Sequence, residues 1–377
     1  MKRTLIAIVG TVAFVLQREP TPRKLVGTTI RVAAELATVS GARELRDGRL
    51  LVSDAKRAAV YLVDPKTGAT QQIGSAGADS AQYAQPGGFY AGLGDTTYLL
   101  DRGLARILVI SPSGAIVGPR SIKQRGISSS NDADLDFQRV DSRGLAYFIN
   151  RRSLGRPKAG DHSIDSAVLI RFDAARQHGD SVALLRNRER VITQADEHLV
   201  FSSEIRGSPA DDWGVAPDGR IAVVRASPYR VEWYGTNGRI VRGPTIAIDS
   251  LPYTDAEKDS INAASAGSGG AGAPSVGFAG SDRSSSTKPK PLFTPFKPPF
   301  EPNDVMVSPD ARVWISRTRP MGATATVYDV FDGQGNRIDR VELPARSRVI
   351  GFGKAAVYAV ERDEKGRPSL RKYSVRD

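Results

Sequence analysis

The stretch LVSDAKRAAVYLVDPKTG, residues 51–68, decides how the chain is read. A short apolar run stops at Asp54, a polar corner follows, a second apolar run ends at Asp64, and PKTG supplies a tight turn. LLDRGLARILVISPSG, residues 99–114, repeats that order. Further stops of the same kind close TYLLD at Asp101, AYFIN at Asn150, IAVVR at Arg225, VWISR at Arg317 and VYAVE at Glu361. Six residues before each stop stands a turn position: Gly48, Asp95, Gly144, Gly219, Ala311 and Ala355. Successive stops lie 47, 49, 75, 92 and 44 residues apart, so three intervals have the length of a propeller blade and two carry insertions.

A lone four-stranded sheet cannot bury both faces, whereas sheets packed radially bury one another and leave only short edges. The pattern predicts an all-β fold, a six-bladed β-propeller. Its last unit shows three strands, and the missing outer strand is expected from VAAELATV, residues 32–39, which would close the ring. Composition fits: 40% apolar and 25% charged residues mark a globular chain, and 37 glycines with 23 prolines supply many turns.

The two quoted stretches resemble NHL-type blades, in which a short apolar strand, an Asp, a corner, an apolar strand and an Asp/Ser-x-x-Gly turn follow one another. From about residue 32 the chain is similar to six-bladed propellers of the NHL-repeat and TolB-like group. The resemblance implies a fold and no single activity, since such propellers include enzymes, scaffolds and ligand binders.

Lys2 and Arg3 precede 13 uncharged residues, 4–16. That is the pattern of a secretory signal, and it is short of the roughly 20 residues a spanning helix needs. Residues 1–30 are therefore expected to be a signal peptide or short membrane anchor plus linker, with the propeller over 31–377. The expected location is periplasmic or extracellular, with membrane contact only through residues 4–16. Two insertions interrupt the blades, at residues 185–210 and 251–302. In the second, Thr254 and Glu257 fit a capping box and predict a short helix within 252–264, followed by a Gly/Ser-rich linker. PLFTPFKPPFEP, residues 291–302, is expected to dock its phenylalanines on the propeller rim.

The net charge of +12 suits a polyanion, but no run of five or six Lys/Arg occurs, and this does not favour nucleic acid. There is no cysteine, which excludes disulfides and thiolate chemistry. GSGGAG, residues 267–272, lacks the strand and helix of a dinucleotide loop and reads as linker. Asp132, Asp134 and Asp136 alternate as in calcium loops, but Phe137 and Arg143 stand where an EF-hand needs Gly and Glu. His162, His178 and His198 fall in turns or insertions without ligand spacing.

In an antiparallel hairpin, the start of strand one and the end of strand two share one end. Counting back from each stop places strand-one starts at Gly41, Gly88, Phe137, Asp212, Asp304 and Arg348. The predicted ligand-binding rim at the channel mouth is thus Asp54, Asp101, Asn150, Asp212, Arg225, Asp304, Arg317, Arg348 and Glu361. Asp54 and Asp101 also read as acceptors within their own corners, and Arg225 and Arg317 either as ion-pair partners of Asp212 and Asp304 or as contacts of an anionic ligand. The expected function is an exported, non-catalytic binding module for a protein or for a polar or anionic small molecule, with no cofactor. The alternatives are a scaffold for envelope proteins using 251–302, or a metal-dependent hydrolase resembling the lactonase-type propellers. The hydrolase reading implies a divalent cation held by Asn150, Asp212, Asp304 and Glu361.

Overall fold

The computed structural model describes residues 20–122, 135–151, 162–194, 200–267, 275–276 and 291–375. The second strands of the six blades are Leu50–Asp54, Thr97–Asp101, Ala146–Arg151, Ile221–Ala226, Val313–Ser316 and Ala356–Arg362. Each pairs antiparallel with an inner strand: Val39–Glu44, Pro86–Ala91, Leu135–Val140, Asp212–Val215, Val305–Val307 and Ser347–Gly353. All five residues of Leu50–Asp54 and of Thr97–Asp101 are buried, because a blade is covered on both faces by its neighbours. The outer strand Thr70–Gln72 is polar and half-exposed to exposed. The six turn positions all have positive φ, from +87° at Gly48 to +50° at Ala355.

Six buried apolar clusters lie one between each pair of adjacent blades. One of them joins blade six to blade one through Ile350, Tyr358 and Leu370 against Ala42, Leu50 and Tyr61. The ring is therefore closed. At this seam the inner strands touch backbone to backbone: a Cβ on Gly351 would lie 1.8 Å from the Ala42 carbonyl oxygen.

The closing strand is Gly27–Ile30, antiparallel to Pro368–Ser374, and not residues 32–39. Val32, Ala34 and Leu36 do pack against the blade six–one core, which explains their alternation. Their backbone, however, is held by side chains: Ala33 N–H donates to Thr70 and Ala37 and Thr38 N–H to Asp54, and the chain crosses the rim here. Arg23–Lys24 adds a parallel strand to the outer edge of blade five. Strands from Arg23 onward therefore belong to the sheets of blades five and six.

The first insertion is largely a continuation of blade three. Strand His178–Gln194 of that blade, paired with His162–Asp173, runs on into the insertion and is joined there by Val200–Glu204. In the second, Asp255–Gly267 is helical. Glu257 N–H donates to the Thr254 hydroxyl at 3.2 Å and Thr254 N–H to Glu257 at 2.9 Å, forming the expected capping box. Of the three phenylalanines, Phe300 is fully buried in the core between blades four and five. Phe293 packs edge-on against Tyr253 with ring centroids 5.3 Å apart, and Phe296 is exposed. Asp132, Asp134, His198 and most of the Gly267–Gly272 stretch lie outside the described residues. No helix among the described residues is long and apolar enough to cross a membrane.

Candidate functional site

The inner strands of all six blades enclose an axial cavity of about 780 Å³, within the range of small-molecule sites. Its described lining carries six basic residues, Arg43, Arg46, Arg102, Arg139, Arg348 and Lys354, against three acidic ones, Glu44, Asp95 and Asp141. All three acids are engaged by the wall. Asp95 accepts from Arg43 and from Arg46 N–H, both at 2.9 Å. Asp141 accepts from Arg143, from Leu145 N–H and from the Tyr147 hydroxyl. Glu44 accepts from the Tyr358 hydroxyl at 2.6 Å. Arg46, Arg102 and Lys354 are exposed and form no ion pair with a described residue. The cavity is therefore net cationic.

Arg139 is the exceptional group. Its side chain is only 20% exposed, and its guanidinium lies 5.1 Å from the Trp213 ring centroid. The nearest carboxylate is Asp212, at 3.9 Å, beyond hydrogen-bond reach. Asp212 does not need it, because its oxygens already accept from the N–H groups of Trp213 at 2.8 Å, Asn303 at 2.9 Å and Val305 at 3.2 Å. Burial pushes the Asp212 carboxyl up, with the Arg139 charge opposing. A guanidinium carries five N–H donors, so Arg139, half-buried over the Trp213 ring, offers unpaired donors to the cavity it lines. A β-bulge between Phe137 and Arg139 breaks the strand alternation and sets this direction.

Of the nine predicted rim residues, only Arg348 lines the cavity; one of its N–H groups donates to the Val39 carbonyl at 2.8 Å. Asp54 and Asp101 turn into their corners: Asp54 accepts from Ala37, Thr38 and Arg57 N–H, and Asp101 from Ala84 and Gln85 N–H and from Arg106. Arg225 pairs with Asp211 and Glu232, not with Asp212. Arg317 pairs with Asp329 beneath Tyr229, not with Asp304. Glu361 pairs with Arg371 on the neighbouring strand. Asn150 is half-buried on its strand and is not among the lining residues. The reason is common to most of them. Strand two is shielded from the axis by strand one, so its charged ends are spent on corners and on contacts farther out.

Asp304 lies beside the mouth without lining the cavity. Burial pushes its carboxyl up to about 7, the Glu301 N–H opposing and the Asp212 and Glu301 charges adding. Among the described residues, no three His, Asp or Glu side chains converge to hold a metal ion. The donor set expected for a lactonase-like cation, Asn150, Asp212, Asp304 and Glu361, does not assemble, so no metal-assisted step is derived. Sequence reasoning missed Arg139, Arg43 and Arg102. Arg43 in GARELR could have been found as a cation on the innermost strand; Arg139 could not, because the bulge that re-aims it leaves no pattern.

No protein-family model matches this chain, and no curated protein matches it. Solved structures similar to it include virginiamycin B lyase from Staphylococcus aureus, at 10% identity and a TM-score of 0.44, covering 93% of this chain and 100% of that one. Another is the calcium-binding protein regucalcin from Agrobacterium tumefaciens, at 11% identity and 0.44, covering 95% and 98%. A member of the DUF4221 family from Bacteroides vulgatus is similar at 8% identity and 0.47, covering 94% and 97%. These are likenesses of fold alone.

Proposed function

We propose that this protein is an exported, non-catalytic propeller of the NHL and TolB-like kind that binds an anionic small molecule in its central channel. The supporting observation is Arg139. Its side chain is 20% exposed, its guanidinium lies over the Trp213 ring, and it has no hydrogen-bonded acceptor among the described residues, so its N–H groups are available to an anion in the cavity. Arg348 and Arg102 add positive charge to the same cavity and raise the local concentration of anions. Export is supported by Lys2 and Arg3 ahead of 13 uncharged residues.

The test is calorimetric titration with citrate, inorganic phosphate and hexanoate at low salt. At least one should bind with 1:1 stoichiometry, and Arg139→Gln should weaken it by about 10- to 100-fold, the worth of a charge-assisted hydrogen bond. Equal binding by the variant, or no binding of any anion, would remove this reading.

A further inference from the structure

Resting on that reading, we infer that the ligand is an amphipathic organic anion, its head group on Arg139 and an apolar body lying along the wall of the channel. The cations share the cavity with apolar groups on its wall. Phe89 and Tyr90 from blade two and Met306 from blade five line it half-buried, and the buried Val349, Ile350 and Phe352 of blade six back it. Tyr90 adjoins the fork. The Tyr90 hydroxyl donates to the Gln138 carbonyl at 3.2 Å, which sets its ring beside the residue preceding Arg139.

A compact inorganic anion would leave most of a volume of about 780 Å³ to water and would make no use of this wall. A neutral apolar molecule would leave the Arg139 donors unmatched. A molecule with one charged end and an apolar remainder satisfies both parts. Burying each additional methylene against such a wall improves transfer out of water by a constant increment.

The experiment is a calorimetric series of sodium acetate, butyrate, hexanoate and octanoate, with inorganic phosphate and neutral octanamide as controls. Affinity should rise about three- to fourfold per added methylene. Octanoate should bind at least tenfold more tightly than octanamide, and Arg139→Gln should abolish that difference. Phe89→Ala should flatten the rise with chain length while leaving acetate unchanged. If phosphate and acetate bind in an Arg139-dependent way and octanoate binds no better, the anion reading survives and this one is overturned. If octanamide matches octanoate, the head-group assignment is overturned. If no probe responds to Arg139→Gln, both readings fall together.

Discussion

The Arg225 guanidinium donates to Asp211 at 2.7 Å, passing over Asp212, the neighbour that begins the inner strand of blade four. Asp211 also accepts from Arg186 N–H at 2.9 Å and Ala226 N–H at 3.2 Å, so one buried carboxylate ties blade three to blade four. Arg225 in turn reaches Glu232, the Tyr234 hydroxyl and the Leu184 carbonyl. Breaking a buried pair by removing one partner costs more than the pair contributes. Asp211→Ala should lower the unfolding free energy by about 3 kcal/mol, and Arg225→Met by a comparable amount. The double variant should lose less than the two separate losses together, by about 1–3 kcal/mol, in urea denaturation. Strict additivity would show that the two groups do not act as a unit.

How far the sequence could lead is visible at this corner. The strand-two runs were legible because residues such as Leu50, Leu51 and Val52 are buried on both faces and must be continuously apolar. The corner roles of Asp54 and Asp101 were legible because both stops precede the same kind of turn. Strand one was located only by counting back, and bulges near Val39–Gly41, Phe137–Arg139 and Val349–Gly351 defeat counting. The closing strand eluded the pattern for another reason. An outer strand is the least buried of a blade, so GTTI, residues 27–30, carries one inward apolar residue, Ile30, and VAAELATV advertises itself more strongly.

Asp304 makes stability depend on pH. Its folded-state carboxyl titrates at about 7, above its ordinary value of 3.8, so the folded protein holds the proton more tightly than the unfolded chain. The contribution is fully present below about pH 4 and is lost as pH rises through about 7. Asp304→Asn removes the charge and leaves an amide oxygen to accept the Glu301 N–H. Relative to the parent, the variant should gain stability between pH 5 and pH 8.5, by at most about 3 kcal/mol. Denaturant titrations at the two pH values check this; an unchanged difference between the two proteins would refute it.

Glu257 works in the opposite sense. Burial opposes its charge, but the Lys297 ammonium and the N–H groups of Thr254 and Met321 outweigh burial and hold the carboxyl at about 2. This contribution is present above about pH 4.5 and is lost as pH falls toward 2. The contacts join the helix Asp255–Gly267 to the proline-rich strap that carries Lys297, so their loss should loosen the insertion before the blades. Glu257→Ala should speed proteolysis within residues 251–300 severalfold at pH 7 and leave the far-UV spectrum of the sheets unchanged. Cleavage at the parent rate would show that the pair does not hold the insertion in place.

The ring's closure by Gly27–Ile30 can be tested by truncation. A chain starting at residue 23 keeps both N-terminal strands, whereas one starting at 31 loses them. The loss takes away two buried side chains, Leu25 between blades five and six and Ile30 between blades six and one. At about 2 kcal/mol for each, the shorter chain should be less stable by about 4 kcal/mol before any ladder hydrogen bonds are counted. It also uncovers the edge of Pro368–Ser374, where Leu370 and Tyr373 lie buried, and a bare strand edge is a template for association. The expected outcome is a lower denaturation midpoint together with concentration-dependent dimers or aggregates in size-exclusion chromatography. The chain starting at 23 should remain monodisperse at the same concentrations. Equal midpoints and equal elution would mean that blade six is complete with three strands, and that the core between blades six and one holds the ring shut without Gly27–Ile30.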